Sequence, residues 1–232
     1  MTRFAAIADV HGNRWALEAV LEDVARAGVT VIVNLGDNLF GPLDVDGSAD
    51  LLKRLKLPGV AGNQDRVLVE PESPHGAWLA GLPLRLELPG ILMFHGTPRA
   101  DDVYLLETVH GDGVTLATDP EIAERLGDVS QALLLCGHTH IPRVVRCDER
   151  LIVNPGSVGL QAYADDDPLP HVMETGSPHA RYAILEQDGR HWRVDLRSIR
   201  YDWEAAARFA SGNGRDDWAY RLRTGRAFSR GL

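Results

Sequence analysis

Two cysteines in 232 residues, Cys136 and Cys147, are too few to staple a disulfide-dependent fold. Cys136 closes an apolar run and reads as a small buried hydrophobe rather than a ligand. The chain also lacks any run of roughly 18 apolar residues, so it offers no candidate for a membrane-spanning helix. Its first residues, Met1-Thr2-Arg3-Phe4, lead straight into a strand-like segment, without the apolar stretch and small-residue cleavage site of a signal peptide. A cytoplasmic location is therefore the expectation. Basic residues are in deficit: 24 Lys and Arg stand against 33 Asp and Glu, a formal charge of −9. Such a surface repels nucleic-acid backbones, so non-specific nucleic-acid binding is not expected, although a local cation cluster can reverse the field inside a cleft. Neither an internal repeat nor a low-complexity tract is present. What remains is an ordinary globular balance, 44% hydrophobic and 25% charged, enough for a substantial core.

Hydrophobic periodicity alternates between the two regular types. Phe4 to Val10 is a short apolar run; Arg14 to Ala27 follows with Leu17, Val20, Leu21 and Val24 on one helical face, and Gly28 stops it. Val29 to Leu35 is β-branched, so a strand–helix–strand unit opens the chain and implies a parallel sheet. The pattern predicts a helix over Ala49 to Leu57 and a hairpin of Leu84-Leu88 with Ile91-Phe94 around Pro89-Gly90. It predicts a further helix over Glu121 to Leu126 and a buried strand over Ala132 to Cys136. Antiparallel strands are expected at Arg143-Cys147, Leu151-Val153, Tyr182-Glu186 and Trp192-Leu196, with Ala164 to Pro178 as a mobile loop between them. Asp202 to Arg226 reads as a helical tail, capped by Asp202 and broken at Ser211-Gly214. A mixed α/β architecture with two sheets results.

Polar, ligand-capable residues gather where these strands end: Asp9-Val10-His11, Gly36-Asp37-Asn38, Gly62-Asn63-Gln64-Asp65, Phe94-His95-Gly96 and Gly137-His138-Thr139-His140. In open α/β sheets the carboxyl ends of strands are where ligand sites collect. Residues two apart on extended backbone project to one side, so Asp9 with His11, and His138 with His140, are each expected to face one cavity. Asp9, His11, Asp37, Asn63, His95, His138 and His140 are too many for one cation, but two cations can share Asp37 as a bridge. The mixture of imidazole, carboxylate and amide oxygen suits first-row ions better than calcium. Two such ions, roughly 3.5–4 Å apart, can clamp a phosphoryl oxygen and poise a bridging hydroxide for in-line attack.

These motifs resemble the calcineurin-like metallophosphoesterase superfamily, whose pattern is D-x-H, G-D, G-N-H-[DE], H and G-H-x-H. Asn154-Pro155-Gly156-Ser157 looks like the corresponding turn of its small bacterial and archaeal phosphodiesterase-like members. The resemblance implies a four-layer α/β/β/α sandwich of two mixed sheets over residues 1–200. Residues 201–232 are left as a helical tail packed on the domain or on a partner subunit, so that a homo-oligomer is admitted. By the same resemblance, Asp9, His11, Asp37 and His140 hold a first metal, and Asp37, Asn63, His95 and His138 a second. Manganese is the expected ion, with iron, nickel, cobalt, zinc or magnesium as alternatives. Asp37, Asn63, Gln64 and His138 are the residues expected to act in catalysis, on a small phosphodiester or phosphomonoester.

Gln64 stands where the family has a histidine. Its amide can donate to a phosphoryl oxygen but does not titrate near neutrality and cannot be a general acid. Substrates with good leaving groups are then expected to be favoured, or Asp65, His171 or His179 to supply the proton. Arg66, Arg99, Arg143 and Arg181 are the cations nearest the motifs. Trp203, Phe209, Trp218 and Tyr220 are expected to pack the tail in place rather than bind a ligand. Three other readings compete: a protein phosphatase or dinucleoside polyphosphate hydrolase, a metal-poor scaffold, and a di-iron oxygen-activating protein. The last usually carries its ligands on bundle helices instead.

Overall fold

A continuous apolar run at the start of the chain, buried on both faces, decides the layering. The computed structural model describes residues 3–70, 73–111 and 113–227; residues 228–232 of the expected tail, and residues 1–2, lie outside the described residues. In chain order the elements are β1 (Arg3–Ile7), α1 (Arg14–Arg26), β2 (Ile32–Asn34), α2 (Val45–Leu55), α3 (Asn63–Val67), α4 (Gly76–Leu79), β3 (Arg85–Leu88) and β4 (Ile91–Phe94). There follow β5 (Glu107–His110), β6 (Gly113–Leu116), α5 (Asp119–Leu126), β7 (Leu133–Leu135), β8 (Arg143–Cys147) and β9 (Arg150–Asn154). The chain continues with β10 (Ala162–Asp165), β11 (His171–Glu174), β12 (Ala180–Asp188), β13 (His191–Ile199), α6 (Trp203–Gly212) and α7 (Asp216–Thr224).

Two mixed sheets result. One has the order β13-β12-β1-β2, with β1 and β2 parallel and β12 antiparallel to β1. The other has the order β3-β4-β7-β9-β8, a parallel centre of β4, β7 and β9 flanked by antiparallel edges. Along β1, Phe4 and Ala6 point into the space between the sheets, where they meet Val33, Leu35, Met93, Leu135, Val153 and Leu185. Ala5 and Ile7 point the other way, under Leu17, Val20 and Val24 of α1 and Ala206, Ala207 and Ala210 of α6. On the far side, Leu92, Phe94, Leu134 and Ile152 pack with Ile122 and Leu126 of α5. Helices, sheet, sheet and helix therefore form the four layers expected. Strands buried on both faces read as continuous apolar runs, as Ile91-Phe94 and Leu133-Leu135 do. Each such Leu or Ile side chain contributes about 1.5–3 kcal/mol on leaving water.

Three local expectations differ from the structure. Gly62-Asn63-Gln64-Asp65, expected at a strand end, follows no strand; before it only a single bridge joins Asn34 to Gly59. Ala164 to Pro178 is not a loop throughout but carries the β10–β11 ribbon, because Ala162, His171 and Met173 bury their side chains on the body. A second ribbon, β5–β6, joins Glu107–His110 to Gly113–Leu116 and has no apolar alternation strong enough to announce it.

The start of α1 holds the first motif in place. Asn13 caps that helix by accepting from the Ala16 N–H at 3.1 Å, and its amide donates to the Gly159 carbonyl at 2.8 Å and the Tyr201 hydroxyl at 3.2 Å. One buried side chain thus ties the Asp9–His11 turn to the loop after β9 and to the start of the tail. Losing an N-cap of this kind costs about 1 kcal/mol before the other two bonds are counted.

Candidate metal centre

All seven expected ligands lie just beyond the ends of strands or at the start of α3, and they meet at the edge where the two sheets adjoin. Five of them do not sit on extended backbone, however. Asp9, His11, Asp37, His138 and His140 have φ between 50° and 70°, in the left-handed region. The alternation argument for pairing Asp9 with His11 thus reached the right neighbours by a wrong route: tight turns after β1 and β7 aim these side chains. Left-handed backbone costs an L-residue about 1–2 kcal/mol, and such strain concentrates at functional sites. Backbone bonds hold it in place here, from Asp9 N–H to Gly36 O, His11 N–H to Asp37 O and Gly137 N–H to His95 O, at 2.8–3.0 Å.

The ligand atoms converge closely. His11 Nε2 lies 3.2 Å from His140 Nε2 and 3.7 Å from Asp37 Oδ2. His95 Nε2 lies 3.4 Å from Asp37 Oδ2 and 3.8 Å from Asp9 Oδ1, and His140 Nε2 lies 3.3 Å from Asp9 Oδ1. Two triads have the spacing to hold an ion, Asp9-His11-His140 and Asp9-Asp37-His95. Asp9 belongs to both, while Asp37 faces a histidine of each, so both carboxylates lie between the two sets. The ring of His138 is 5.1 Å from that of His95.

The other ring nitrogens are spoken for. His11 Nδ1 bonds to Phe40 O at 2.9 Å, His95 Nδ1 to Leu35 O at 2.6 Å, and His140 Nδ1 to Leu160 O. A carbonyl on Nδ1 puts the hydrogen there and turns the Nε2 lone pair toward the carboxylates, the arrangement a metal-binding imidazole needs. Behind them, Ser157 Oγ donates to Asp9 O at 2.8 Å, and Asn154 Nδ2 donates to Gly137 O at 2.7 Å. The Asn154–Ser157 turn therefore braces both the first and the last motif.

Charge and burial supply the fit test for a cation. Among the described residues, both Asp9 carboxylate oxygens, Asn63 Oδ1, His95 Nε2 and His138 Nε2 are buried without a hydrogen-bond partner. Orphaned buried acceptors cost about 1–3 kcal/mol each, and more when charged, so this cluster is unfavourable by itself and favourable around a positive ion. Electrostatics agree. Burial raises the Asp37 carboxyl, but His95, His11 and His138 outweigh it and hold it well below the usual range. Burial lowers His95, yet Asp37 and Asp9 push it up to about 10. Burial, with His95 beside it, brings His138 down to about 4, and burial with His140 also lowers His11. Two carboxylates demand positive charge between them and so raise His95, while His11 and His138 are held toward the neutral form. The donor set fits one or more divalent first-row cations.

A cavity of about 360 Å³ opens over this cluster. His11, Asp37, Asn63, His138 and His140 are on its surface, with Asp9 and His95 fully buried beneath. Gln64 lines it too, its N–H donating to Asp37 Oδ1 at 2.9 Å. The other expected participants do not reach it. Asp65 is buried with its oxygens on Asn38 and the Gly62 N–H; burial and the nearby Asp37 push its carboxyl up to about 6. His171 is buried against Tyr104, and His179 is bonded to Ser177. Arg66 pairs with Asp101 and Arg143 with Glu107, and the cavity lining includes none of the four arginines singled out near the motifs. The cations on the lining are instead Arg215 and Arg221, from the tail, together with Trp218. Sequence reasoning placed Trp218 as packing, and it is indeed 2% exposed, but it packs on His11 and faces the cavity. A spacing of three residues from Arg215 to Trp218 to Arg221 was the available signal, though nothing in the sequence says which way that face turns.

Comparison with known proteins adds the lineage. The profile of the calcineurin-like phosphoesterase superfamily domain matches residues 2–174. The uncharacterized protein MJ0912 of Methanocaldococcus jannaschii is 26% identical over 246 residues, covering 92% of this chain and 94% of that one. The crystal structure of a metallophosphoesterase from Sphaerobacter thermophilus superposes with a TM-score of 0.77 at 26% identity, covering 97% of this chain and 99% of the other. A hypothetical protein, PH1004, from Pyrococcus horikoshii shares the fold, with a TM-score of 0.69 at 17% identity over 98% of this chain and 100% of its own.

Proposed function

The chain belongs to the calcineurin-like phosphoesterase superfamily, and on that premise we propose that it is a dinuclear hydrolase of small phosphate esters. It is a phosphoester hydrolase by family; the ion count, the residues' roles and the substrate class are the reading argued next. The observation that carries it is the set of orphaned, buried ligand atoms meeting beneath one cavity.

Asp9, His11, Asp37 and His140 would hold one cation and Asp37, Asn63, His95 and His138 the other, with manganese the expected ion. Divalent cations bound there supply charge neutralisation at phosphoryl oxygens and lower the pKa of a water toward neutrality. The protein's own part is to bind and orient. Left-handed turns aim the ligands, and the carbonyls on Nδ1 of His11, His95 and His140 fix their tautomers. Gln64 lines the cavity, and its side-chain amide would donate to a phosphoryl oxygen there. A cavity near the lower end of the usual 300–1,000 Å³ range favours a small diester or monoester over a protein chain or a dinucleoside polyphosphate.

Gln64 cannot deliver a proton, and Asp65, His171 and His179 face elsewhere. The leaving group must depart with little help, so aryl diesters should be hydrolysed in preference to alkyl monoesters. A panel of phosphate esters assayed with manganese, nickel and magnesium tests the function, with Asp37→Asn as control. Turnover of none of them, with any ion, would remove the hydrolase reading. For the leaving group, Gln64→His should flatten the dependence of rate on leaving-group pKa; equal slopes in the two proteins would show that position 64 does not set it.

A further inference from the structure

Each histidine of the last motif has a tyrosine against it. The Tyr104 ring lies 4.8 Å from that of His138, and the Tyr163 ring lies 4.7 Å from that of His140. Tyr104 comes from the loop between β4 and β5 and Tyr163 from β10, so they reach the centre from separate parts of the chain. At these separations one ring restricts the tilt of the other. His138 takes its backbone partner, Asp102, from the same loop as Tyr104.

The two phenols are also joined to each other. Tyr163 Oη lies 3.0 Å from Tyr104 Oη and 3.1 Å from the His138 carbonyl, and Tyr104 Oη lies 3.0 Å from His171 Nε2. Counting hydrogens assigns the directions. His171 Nδ1 sits 2.7 Å from Leu169 O, which can only accept, so the ring hydrogen is on Nδ1 and Nε2 accepts. Tyr104 therefore gives its single hydrogen to His171 and offers only its oxygen to Tyr163. The one hydrogen of Tyr163 is then shared between Tyr104 Oη and His138 O. Burial pushes both phenols up, so both stay donors.

This chain of bonds starts at His171, 4% exposed on β11, and ends on a residue with φ 70°. Backbone of that kind persists only where its surroundings over-determine it. Asn154 holds the turn at Gly137 O, and Tyr163 holds it one residue later.

We propose that Tyr104 and Tyr163 are positioning residues of the metal centre: linked through their hydroxyls and anchored on His171, they set the ring orientations of His138 and His140, one from each ligand set. The proposal rests on the metal-centre reading above and adds the groups that align it. Both tyrosines act through the histidines; neither is a ligand or an acid.

Cobalt titration of the full chain, followed by calorimetry and by the visible absorption of the bound ion, tests this without turnover. Tyr163→Phe and Tyr104→Phe each keep the ring and remove the hydroxyl. Each should weaken cobalt binding about tenfold, the low end for partners behind metal-bound histidines. Each should also shift the absorption at saturating cobalt, because the ligand angles change. The two hydroxyls act in one chain, so the double variant should lose little more than the worse single one; additive losses would overturn the link between them. His171→Gln keeps an acceptor and should retain most of the affinity, whereas His171→Leu should match Tyr104→Phe. Tyr182→Phe, which loses a phenol bond to Asp23 at 2.6 Å, is the control for packing alone. It should lower the thermal midpoint and leave cobalt affinity and absorption as they were.

Tyrosine variants that bind cobalt like wild type, whatever their midpoints, would overturn the proposal and leave the metal centre standing. A loss of affinity with an unshifted spectrum would overturn it too, since the histidines would then stand where they stood. If wild type takes up neither cobalt nor manganese, the metal-centre reading falls and the proposal with it. Should one variant fail to fold, the other two positions decide the matter.

Discussion

Asp37 illustrates what a single side chain does at this centre. Its Oδ2 faces His11 at 3.7 Å and His95 at 3.4 Å, one from each side of the cluster, while its Oδ1 accepts the Gln64 N–H. Asn63 offers one orphaned amide oxygen and no charge. Asp37→Asn keeps the shape and removes the charge that both sides use. It should therefore cost more than about 100-fold in activity and lower the bound metal, exceeding the roughly 10–100-fold typical of groups behind the ligands. Asn63→Ala should cost less and leave the metal content nearer to wild type. Measured metal per chain alongside kcat checks the ranking, and the reverse order would argue against a shared carboxylate. At this scale the neighbourhood was legible, since Asp, His and Asn beside glycine at strand ends are chemically distinctive: Asp9, His11, Asp37, His95 and His140 meet at ligand spacing, and Asn63 and His138 line the cavity above them. The left-handed backbone of five of the seven was not legible, because φ is set by the turns' hydrogen bonds to Gly36 O, Asp37 O and His95 O, contributed from other parts of the chain.

Elements were legible where burial was one-sided or complete. The face of α1, the β3–β4 hairpin and the capped helix α6 follow from local pattern, since Leu17, Val20 and Val24 repeat at helical spacing and Asp202 accepts the Ala205 N–H. The β10–β11 ribbon and the facing of α7 were not, because their burial depends on docking against other elements: Trp218 of α7 on His11, more than 200 residues away, and Tyr163 of β10 on the His140 ring. The junction between α3 and the second motif gives a sharper case. Gly62, the N-cap of α3, has φ −99° and ψ 170°, a conformation open to any residue. Its Cα nevertheless presses on Asp37, where an added Cβ would lie 2.1 Å from Oδ1 and 2.5 Å from the backbone nitrogen. Glycine is needed there for space alone. Gly62→Ala should displace the Asp37 carboxylate, destabilise the chain by about 1–3 kcal/mol as overpacking does, and reduce metal uptake with it. Denaturant unfolding together with metal content checks this, and an alanine variant with wild-type metal content would show that the Asp37 turn yields without consequence.

At the scale of the whole molecule, the four layers bring residues from position 9 to position 140 to one edge, and the tail then supplies the cavity's far wall. Each sheet has an apolar face against the other, so the sandwich is held by burial and does not need an ion to form. The edge where the motifs meet is another matter. Asp9 and His95, fully buried, keep polar atoms without partners, and the left-handed turns around them store strain. A cation that binds only the folded chain offsets these costs, and mass action converts its affinity into stability, about 2.7 kcal/mol at a free concentration of 100 Kd. For a domain of this length, 1 kcal/mol moves the thermal midpoint by about 2–4 °C. Manganese at that excess should therefore raise the midpoint by about 5–10 °C, excess chelator should return it to the starting value, and Asp37→Asn should show a smaller rise. No helix among the described residues is long and apolar enough to span a bilayer. Scanning calorimetry over a series of manganese, nickel, zinc and magnesium concentrations is the direct check. A midpoint indifferent to all four ions would mean that the buried carboxylates are compensated by their histidines alone, and the metal centre would have to be withdrawn even though the fold stands.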